Sequence, residues 1–359
     1  MENNAHRVFI IAEAGVNHNG DRQRAFDLVD AAAQSGADAV KFQTFNAKRL
    51  AAASAPKAAY QQQTTEADEN QLAMLQSLEL PLEWHGELQA HAHKHGIEFL
   101  STAFDIQSLA FLDTLNLPFY KVPSGELTNG PLLWAFAHAG KPLVISTGMA
   151  TLSEVEQGLA VVSHALIHDQ PPISMKEVWQ SWSKPGARDV LTNHVSLLHC
   201  TSQYPTPMNE VNLKAMDTLS AVFRLPVGYS DHTLGTIIPV AAAARGATII
   251  EKHFTLNRQL PGPDHNASLE PYELTHMVAD IRQITSALGD GHKAPQPSEW
   301  DTRIAARQNL VAAATIKQGD VFSSENMTTA RAGQGELASS FWDYLGKQAA
   351  RDYQPGEAL

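Results

Sequence analysis

Cysteine is nearly absent from this 359-residue chain, where Cys200 stands alone. One thiol cannot close an intramolecular disulfide or build a paired-cysteine metal motif. Long apolar runs are missing too, since no segment approaches the roughly 20 apolar residues that span a bilayer. The apolar run in the N-terminal MENNAHRVFIIAEAG is too short for a signal peptide and leads straight into the first predicted strand. A cytoplasmic protein with no membrane partner is expected. Positive charge is also scarce: 26 Lys and Arg stand against 38 Asp and Glu, a formal net charge of −12. That balance argues against nucleic acid as a partner and leaves room for a local basic pocket. Finally, no Gly-x-Gly-x-x-Gly follows the first predicted strand, so the fingerprint of an open dinucleotide-binding sheet is lacking.

Hydrophobic residues make up 43% of the chain and charged ones 18%, which is enough apolar material for a sizeable core. The apolar run Val8–Ala14 reads as a buried strand whose tip turns polar at Glu13. Asp21 can cap a helix to Gln34, Gly36 stops it, and Asp38–Thr44 makes a second strand. The unit then repeats. Further strands are expected at Glu98–Ala103, Phe119–Val122, Leu143–Thr147, Val195–Cys200, Val227–Tyr229 and Thr248–His253, each separated from the next by helical patterns. Eight strands alternating with helices are the pattern of a (β/α)8 TIM barrel over residues 1–288.

Two segments interrupt the repeat. The Ala-, Gln- and Thr-rich stretch 47–69 reads as a long loop able to cover an active site. Residues 168–193 carry Pro171, Pro172, Trp179, Trp182 and Pro185, and read as an accessory or subunit-contact insert on the opposite face. A linker is expected over 289–300 (GDGHKAPQPSE), followed by a small β-rich domain at 301–359.

Active sites of such barrels lie at the C-terminal ends of the strands. Here those ends collect Glu13, Asn17, Lys41, Gln43, Thr102, Phe104, Lys121, Ser124, Glu126, Ser146, Thr147, His199, Ser202, Tyr204, Ser230, His232, Glu251, His253 and Asp264. A barrel built for stability alone has no need of such a polar gathering. Lys41 and Lys121 among Thr102, Ser124, Ser146 and Ser230 suit a phosphate plus a carboxylate. Glu13 and Glu126 suit general-base work or the binding of sugar hydroxyls, or else simple capping. His232 and His253 end adjacent strands and can share one divalent cation with positions left open; hydrogen bonding at the rim is the plainer alternative. His199 and Cys200 are read as packing residues.

The runs IAEAGVNHNGD (Ile11–Asp21), ADAVKFQT (Ala37–Thr44), YKVPSGE (Tyr120–Glu126), STGMA (Ser146–Ala150), LLHCTSQYPTP (Leu197–Pro207), GYSDHT (Gly228–Thr233), EKHF (Glu251–Phe254) and PGPDH (Pro261–His265) resemble the sialic acid synthase family. The likeness runs from about Val8 to the C-terminus, where the last segment resembles an antifreeze-like SAF domain. It implies a transferase that condenses phosphoenolpyruvate with an N-acetylated hexosamine. By this resemblance Lys41, Thr102, Lys121, Ser124, Ser146, Ser202 and Ser230 would hold phosphoenolpyruvate. Glu13, Gln43, Phe104, Glu126, Tyr204 and Asp264 would surround the sugar. Glu13, Glu126, Lys41 and Lys121 would carry the chemistry. His232 and His253 would bind the metal, with Mn2+ the family's usual ion and Mg2+ or Co2+ also compatible with the ligands. Arg331 would reach the sugar from the other subunit of a domain-swapped homodimer. The chain departs from the family pattern at Ser202, where Asn is frequent, and at Ala103, where Pro is frequent.

The main expectation is N-acetylneuraminate synthesis from N-acetylmannosamine. The alternative within the family is N,N'-diacetyllegionaminate, or pseudaminate, synthesis from a 2,4-diacetamido-trideoxy hexose. Further off stand a Schiff-base aldolase on the same barrel and a carbohydrate-binding module without activity.

Overall fold

The computed structural model describes residues 7–52, 54–57, 62 and 70–359. Most of the expected covering loop beyond residue 57 therefore lies outside the described residues. Two compact units divide the chain, Met1–Gly289 and Asp290–Leu359.

The larger unit is a barrel of eight parallel strands: β1 Phe9–Gly15, β2 Ala39–Thr44, β3 Glu98–Ala103, β4 Tyr120–Val122, β5 Leu143–Ser146, β6 Val195–His199, β7 Val227–Asp231 and β8 Ile249–His253. Their order is β3-β2-β1-β8-β7-β6-β5-β4, and β3 also touches β4, so the sheet comes round on itself. The eight predicted strands are all present. β7 runs two residues beyond its predicted end, because Ser230 and Asp231 are polar yet fully covered.

Local chemistry explains the helices between the strands. The Asp21 side chain accepts from the Arg24 amide at the start of helix Arg22–Gln34, satisfying a donor the helix cannot. Thr151 and Glu154 form a reciprocal capping box on helix Leu152–Ile167. Gly36 adopts φ +80° where the first helix turns back toward β2, a conformation glycine reaches without strain.

Strand alternation sorts side chains into two layers. Ile10, Ala12, Val40, Phe42, Phe99, Tyr120 and Ile145 face the helices and form the main core. Ile11, Ala39 and Leu100 face inward and fill the barrel floor. Residues two and four positions further along the same inward rows become the polar tips. At the floor, Arg282 of the closing helix Pro271–Ala287 donates to the Val8 carbonyl and to Asp38.

The insert 168–193 contains a helix, Met175–Trp182, where only a loop was expected. Trp182 is buried, donates its indole N–H to Glu156 Oε1 at 2.9 Å, and lies beneath the Arg188 guanidinium at 4.4 Å. These contacts fasten the insert to helix Leu152–Ile167. No helix among the described residues is long and apolar enough to cross a membrane.

Two covered imidazoles between β2 and the helices give the fold an acid limit. His85 Nδ1 faces the Pro81 carbonyl and its Nε2 lies 2.7 Å from Thr44 Oγ1, while His18 is fully buried. Burial pulls His85 down to about 4; it does the same to His18, with help from His85 and Arg24. Because both folded values lie below the ordinary 6.5, their contribution is complete above that pH and is lost as pH falls toward 4. At pH 5 each should cost about 2 kcal/mol. Urea midpoints at pH 7.5 and pH 5 will show the loss, and His85→Gln should remove about half of the difference. An unchanged slope in that variant would remove His85 as a cause.

The smaller unit pairs β9 Asn309–Ala312 with β10 Met327–Ala330, antiparallel, after a short helix Trp300–Ala306. Leu310, Ile316, Phe322, Met327 and Tyr353 make its own small core.

Candidate functional site

The strand tips line a cavity of about 470 Å³. Ladder register brings its charged members together: Glu13 on β1 is level with Lys41 on β2 and with His253 on β8, and Ser230 on β7 is level with Glu251 on β8. Lys41 Nζ lies 2.6 Å from Glu13 Oε2, 3.5 Å from Glu251 Oε2 and 3.0 Å from Thr102 Oγ1. Lys121 Nζ lies 3.4 Å from Glu251 Oε1, which also accepts from Ser230 Oγ at 2.9 Å. Two ammonium groups and two carboxylates are thus interleaved out of contact with bulk water.

Their electrostatics differ. Burial alone would raise Glu251, but Lys121 and Lys41 hold it well below the usual carboxylate range. Glu13 is raised, by burial first and by repulsion from Glu251, with Lys41 opposing. Burial pulls Lys41 down, yet Glu13 and Glu251 outweigh it and keep the ammonium charged. Glu251 is therefore a fixed anion, and Glu13 the carboxyl group poised to exchange a proton.

Hydroxyl groups gather beside the lysines. Ser124 Oγ accepts from the Gly148 amide at 3.0 Å and lies 3.2 Å from Cys200 Sγ. Ser146 Oγ is buried without a hydrogen bond among the described residues. A Cβ on Gly148 would fall 2.4 Å from Ser202 Oγ, 2.7 Å from Ser124 Oγ and 2.9 Å from Cys200 Sγ. Any side chain there must displace the hydroxyl groups that close over the Gly148 backbone. Gly148→Ala should push Ser124 and Ser202 apart and raise the KM for an anionic substrate at least about tenfold, with a smaller loss in kcat. Steady-state kinetics read this, and an unaltered KM would show that the cluster does not hold the anion.

Across the cavity stand two imidazoles. His232 Nδ1 faces the Thr201 carbonyl at 2.7 Å, which fixes the tautomer and leaves the Nε2 lone pair available. His253 Nδ1 is buried with no hydrogen bond among the described residues, and lies 3.9 Å from Asp264 Oδ2. The rings are 5.5 Å apart, with Tyr204 tilted 36° against His232 at 4.1 Å. Burial lowers both histidines, His253 further because His232 and Lys41 face it. Burial, with Glu13 nearby, raises Asp264 to about 7. Neutral imidazoles with a spare lone pair, beside buried carboxyl groups, fit a divalent cation. Outside the ring, Lys252 donates to Asp231 Oδ2 and to the Thr233 carbonyl, each at 2.5 Å, behind the two histidine-bearing tips.

Gln43, Phe104, Glu126, Tyr204 and Asp264 also line the cavity. Glu126 accepts from Asn129 Nδ2 at 2.7 Å, which is capping geometry. Arg331 belongs to the smaller unit and is exposed just past β10. Glu251, gathered with the strand tips but given no role there, binds both lysines, and Cys200, read as packing, faces the cavity. Alternation along the strands turns both inward, Glu251 with His253 and Cys200 with Leu198. His199 does turn away, to the Val211 carbonyl.

Comparison with known proteins agrees with this architecture. Residues 28–293 match the NeuB family and residues 307–359 match the SAF domain. An N,N'-diacetyllegionaminic acid synthase from Campylobacter jejuni is 48% identical, over 98% of this chain and 99% of its own. One from Legionella pneumophila is 43% identical, over 98% and 93%. Among solved structures, the N-acetylneuraminic acid (sialic acid) synthetase of Leptospira borgpetersenii, in complex with citrate, is 32% identical with a TM-score of 0.66, over 82% of this chain and 90% of its own. The chain is thus an enzyme of the NeuB family, a transferase built as a TIM barrel with a C-terminal SAF domain.

Proposed function

We propose that the chain condenses phosphoenolpyruvate with a 2,4-diacetamido-trideoxy hexose and water, giving N,N'-diacetyllegionaminate and inorganic phosphate. The observation that carries this reading is the near-complete match to two synthases of that name. It reverses the order expected from the sequence, in which N-acetylneuraminate came first. The cavity supports the change. One wall is apolar, formed by Val16, Phe45, Leu50, Met74, Leu75, Leu78 and Phe104. A trideoxy sugar with two acetamido groups offers methyl groups to such a wall, where N-acetylmannosamine offers hydroxyls that would lose their water.

In this reading Lys41 and Lys121, with Thr102, Ser124, Ser146, Ser202 and Ser230, hold the phosphate and carboxylate of phosphoenolpyruvate. Glu13, Gln43, Phe104, Glu126, Tyr204 and Asp264 surround the open-chain sugar. His232 and His253 would hold a divalent cation, which supplies Lewis-acid polarisation of the aldehyde oxygen when bound. C3 of phosphoenolpyruvate attacks the aldehyde carbon, and the former carbonyl oxygen takes a proton, for which the raised Glu13 is placed. Water adds at the electron-poor C2 and gives up a proton to Glu126. The C2–O bond to the phosphorus-bearing oxygen then breaks as C2 becomes a keto carbon, the electron pair and the C2 hydroxyl proton leave with phosphate, and the lysines neutralise the departing charge. Arg331 would contact the sugar from the partner of a homodimer.

Phosphate release with each sugar in parallel tests the assignment. One or two well-placed methyl groups favour the diacetamido sugar by about 10- to 200-fold in kcat/KM. The second reading is N-acetylneuraminate synthesis, favoured by the match to the solved synthetase; a preference for N-acetylmannosamine would establish it and overturn the first.

A further inference from the structure

A second cluster of metal-binding side chains sits on the outside of the barrel, away from the strand tips. Asp30 projects from helix Arg22–Gln34, His91 from helix Leu82–Lys94, and His95 caps the latter helix. His91 and His95 are four residues apart, so they share one face. His91 Nε2 lies 2.6 Å from Asp30 Oδ1, and His95 Nε2 lies 3.4 Å from the same oxygen. One ligand atom from each residue falls within 4.8 Å of the others. The His91 ring is held edge-on by Phe26 at 5.2 Å, and the imidazoles are 4.7 Å apart.

We propose that Asp30, His91 and His95 form a second divalent-metal site, one that clamps the helix after β1 to the helix before β3. Two imidazoles and one carboxylate select Zn2+, Ni2+, Co2+ or Cu2+ over Mg2+ and Ca2+, which prefer oxygen. Bonds of about 2.0–2.1 Å to a tetrahedral ion place ligand atoms about 3.3 Å apart. The His95–Asp30 separation already has that value, and the shorter His91 contact needs to open by less than 1 Å, within reach of side-chain rotation. An ordinary surface ion pair would explain one imidazole on Asp30. One carboxylate oxygen can accept from both rings when they are neutral, but protonation would set two positive rings 4.7 Å apart; a shared cation satisfies all three groups without that repulsion. Their side chains are 24–39% exposed, so the site is open to solvent and can complete its coordination with water. Its effect is on stability and not on turnover.

The experiment is a Zn2+ titration of the full chain at pH 7.5 by calorimetry, with and without His91→Gln/His95→Gln, in both the unaltered chain and a His232→Ala/His253→Ala background. The chain with altered tips should still take up one equivalent, and adding His91→Gln/His95→Gln should abolish it. Zn2+ should raise the unfolding midpoint of the tip-altered chain by about 2 °C or more, and this too should vanish. Should the tip variant fail to fold, the unaltered chain must lose one equivalent on His91→Gln/His95→Gln while keeping its turnover. Cu2+ bound to the tip-altered chain, or as the extra equivalent of the unaltered one, should show coupling to two imidazole nitrogens by electron paramagnetic resonance. Equal stoichiometry with and without His91 and His95, or no binding outside the strand tips, would overturn the proposal.

Discussion

Lys41→Met should lower kcat/KM by about 10²–10³-fold, the usual loss when one preorganised charge is removed from a developing anion. It should also destabilise the fold, for a reason that the geometry makes specific. Lys41 is the only ammonium within 4 Å of Glu13 among the described residues, and Glu251 keeps Lys121 when Lys41 is gone. Removing one member of a buried ion pair costs roughly 3–5 kcal/mol when the other stays charged. Glu13 has an escape, because burial and Glu251 already raise it and Lys41 is what opposes them. In the variant it should hold a proton to higher pH than in the parent.

The sign of the pH effect follows. A carboxyl group raised above its unfolded value of 4.5 contributes stability below that pH, and loses it as pH rises through the folded value. Lys41→Met should therefore be closest to the parent in denaturant midpoint near pH 5 and furthest from it near pH 8. Lys41→Met combined with Glu13→Gln should remove most of the pH dependence while remaining inactive. A midpoint difference that stays constant across this range would mean that Glu13 does not take up the proton. Arg in place of Lys41 keeps the charge, but its planar fork cannot put one nitrogen on Glu13, Glu251 and Thr102 together, so weak rescue is expected.

Much of this site was legible because a barrel converts sequence alternation into position. Each strand is a short apolar run bounded by turn residues, and the polar residue at its end must lie at the C-terminal rim. That reasoning reached Lys41, Thr102, Lys121, Ser124, Ser146, Ser230, His232 and His253, all of which line one cavity. It placed Glu251 among the tips but gave it no role, because a carboxylate's partners are invisible until the lysines of β2 and β4 are set opposite it. Cys200 was passed over because an apolar neighbourhood makes a thiol look like filling. The helix Met175–Trp182 had a signal, Ser174 followed three residues later by Glu177, but prolines and tryptophans on either side masked it. Asp30 with His91 and His95 had none, since 61 residues separate Asp30 from His91 and only packing of two helices joins them. The sugar was not legible either. In the proposed reading the sugar meets an apolar wall of Val16, Phe45, Leu50, Met74, Leu75, Leu78 and Phe104, and residue type alone says little about such contacts.

His253→Ala should separate the two halves of the cavity. The side proposed to hold phosphate, Lys41, Lys121 and the hydroxyls about Gly148, does not include His253, so the KM for phosphoenolpyruvate should change less than threefold or so. Turnover should fall by about 10³-fold, corresponding to the several kcal/mol that polarisation of a carbonyl by a bound cation provides. Removing divalent ions with a chelator should have the same effect on the parent, reversed by adding back Mn2+, Mg2+ or Co2+, and none on the variant's residual activity. The fold should tolerate the change comparatively well. His253 is held neutral by burial and by the facing His232 and Lys41, so its loss strands no charge. Its Nδ1 makes no hydrogen bond among the described residues, so no partner is orphaned by removing that atom. The thermal midpoint in the absence of divalent ions should drop by a few degrees at most, the cost of a small cavity beside Tyr204. A rise in the KM for phosphoenolpyruvate that matched the loss of turnover would place His253 on the anion instead. Undiminished turnover after chelation would remove the cation from the proposed reaction, and would leave the two imidazoles as hydrogen-bonding groups at the barrel rim.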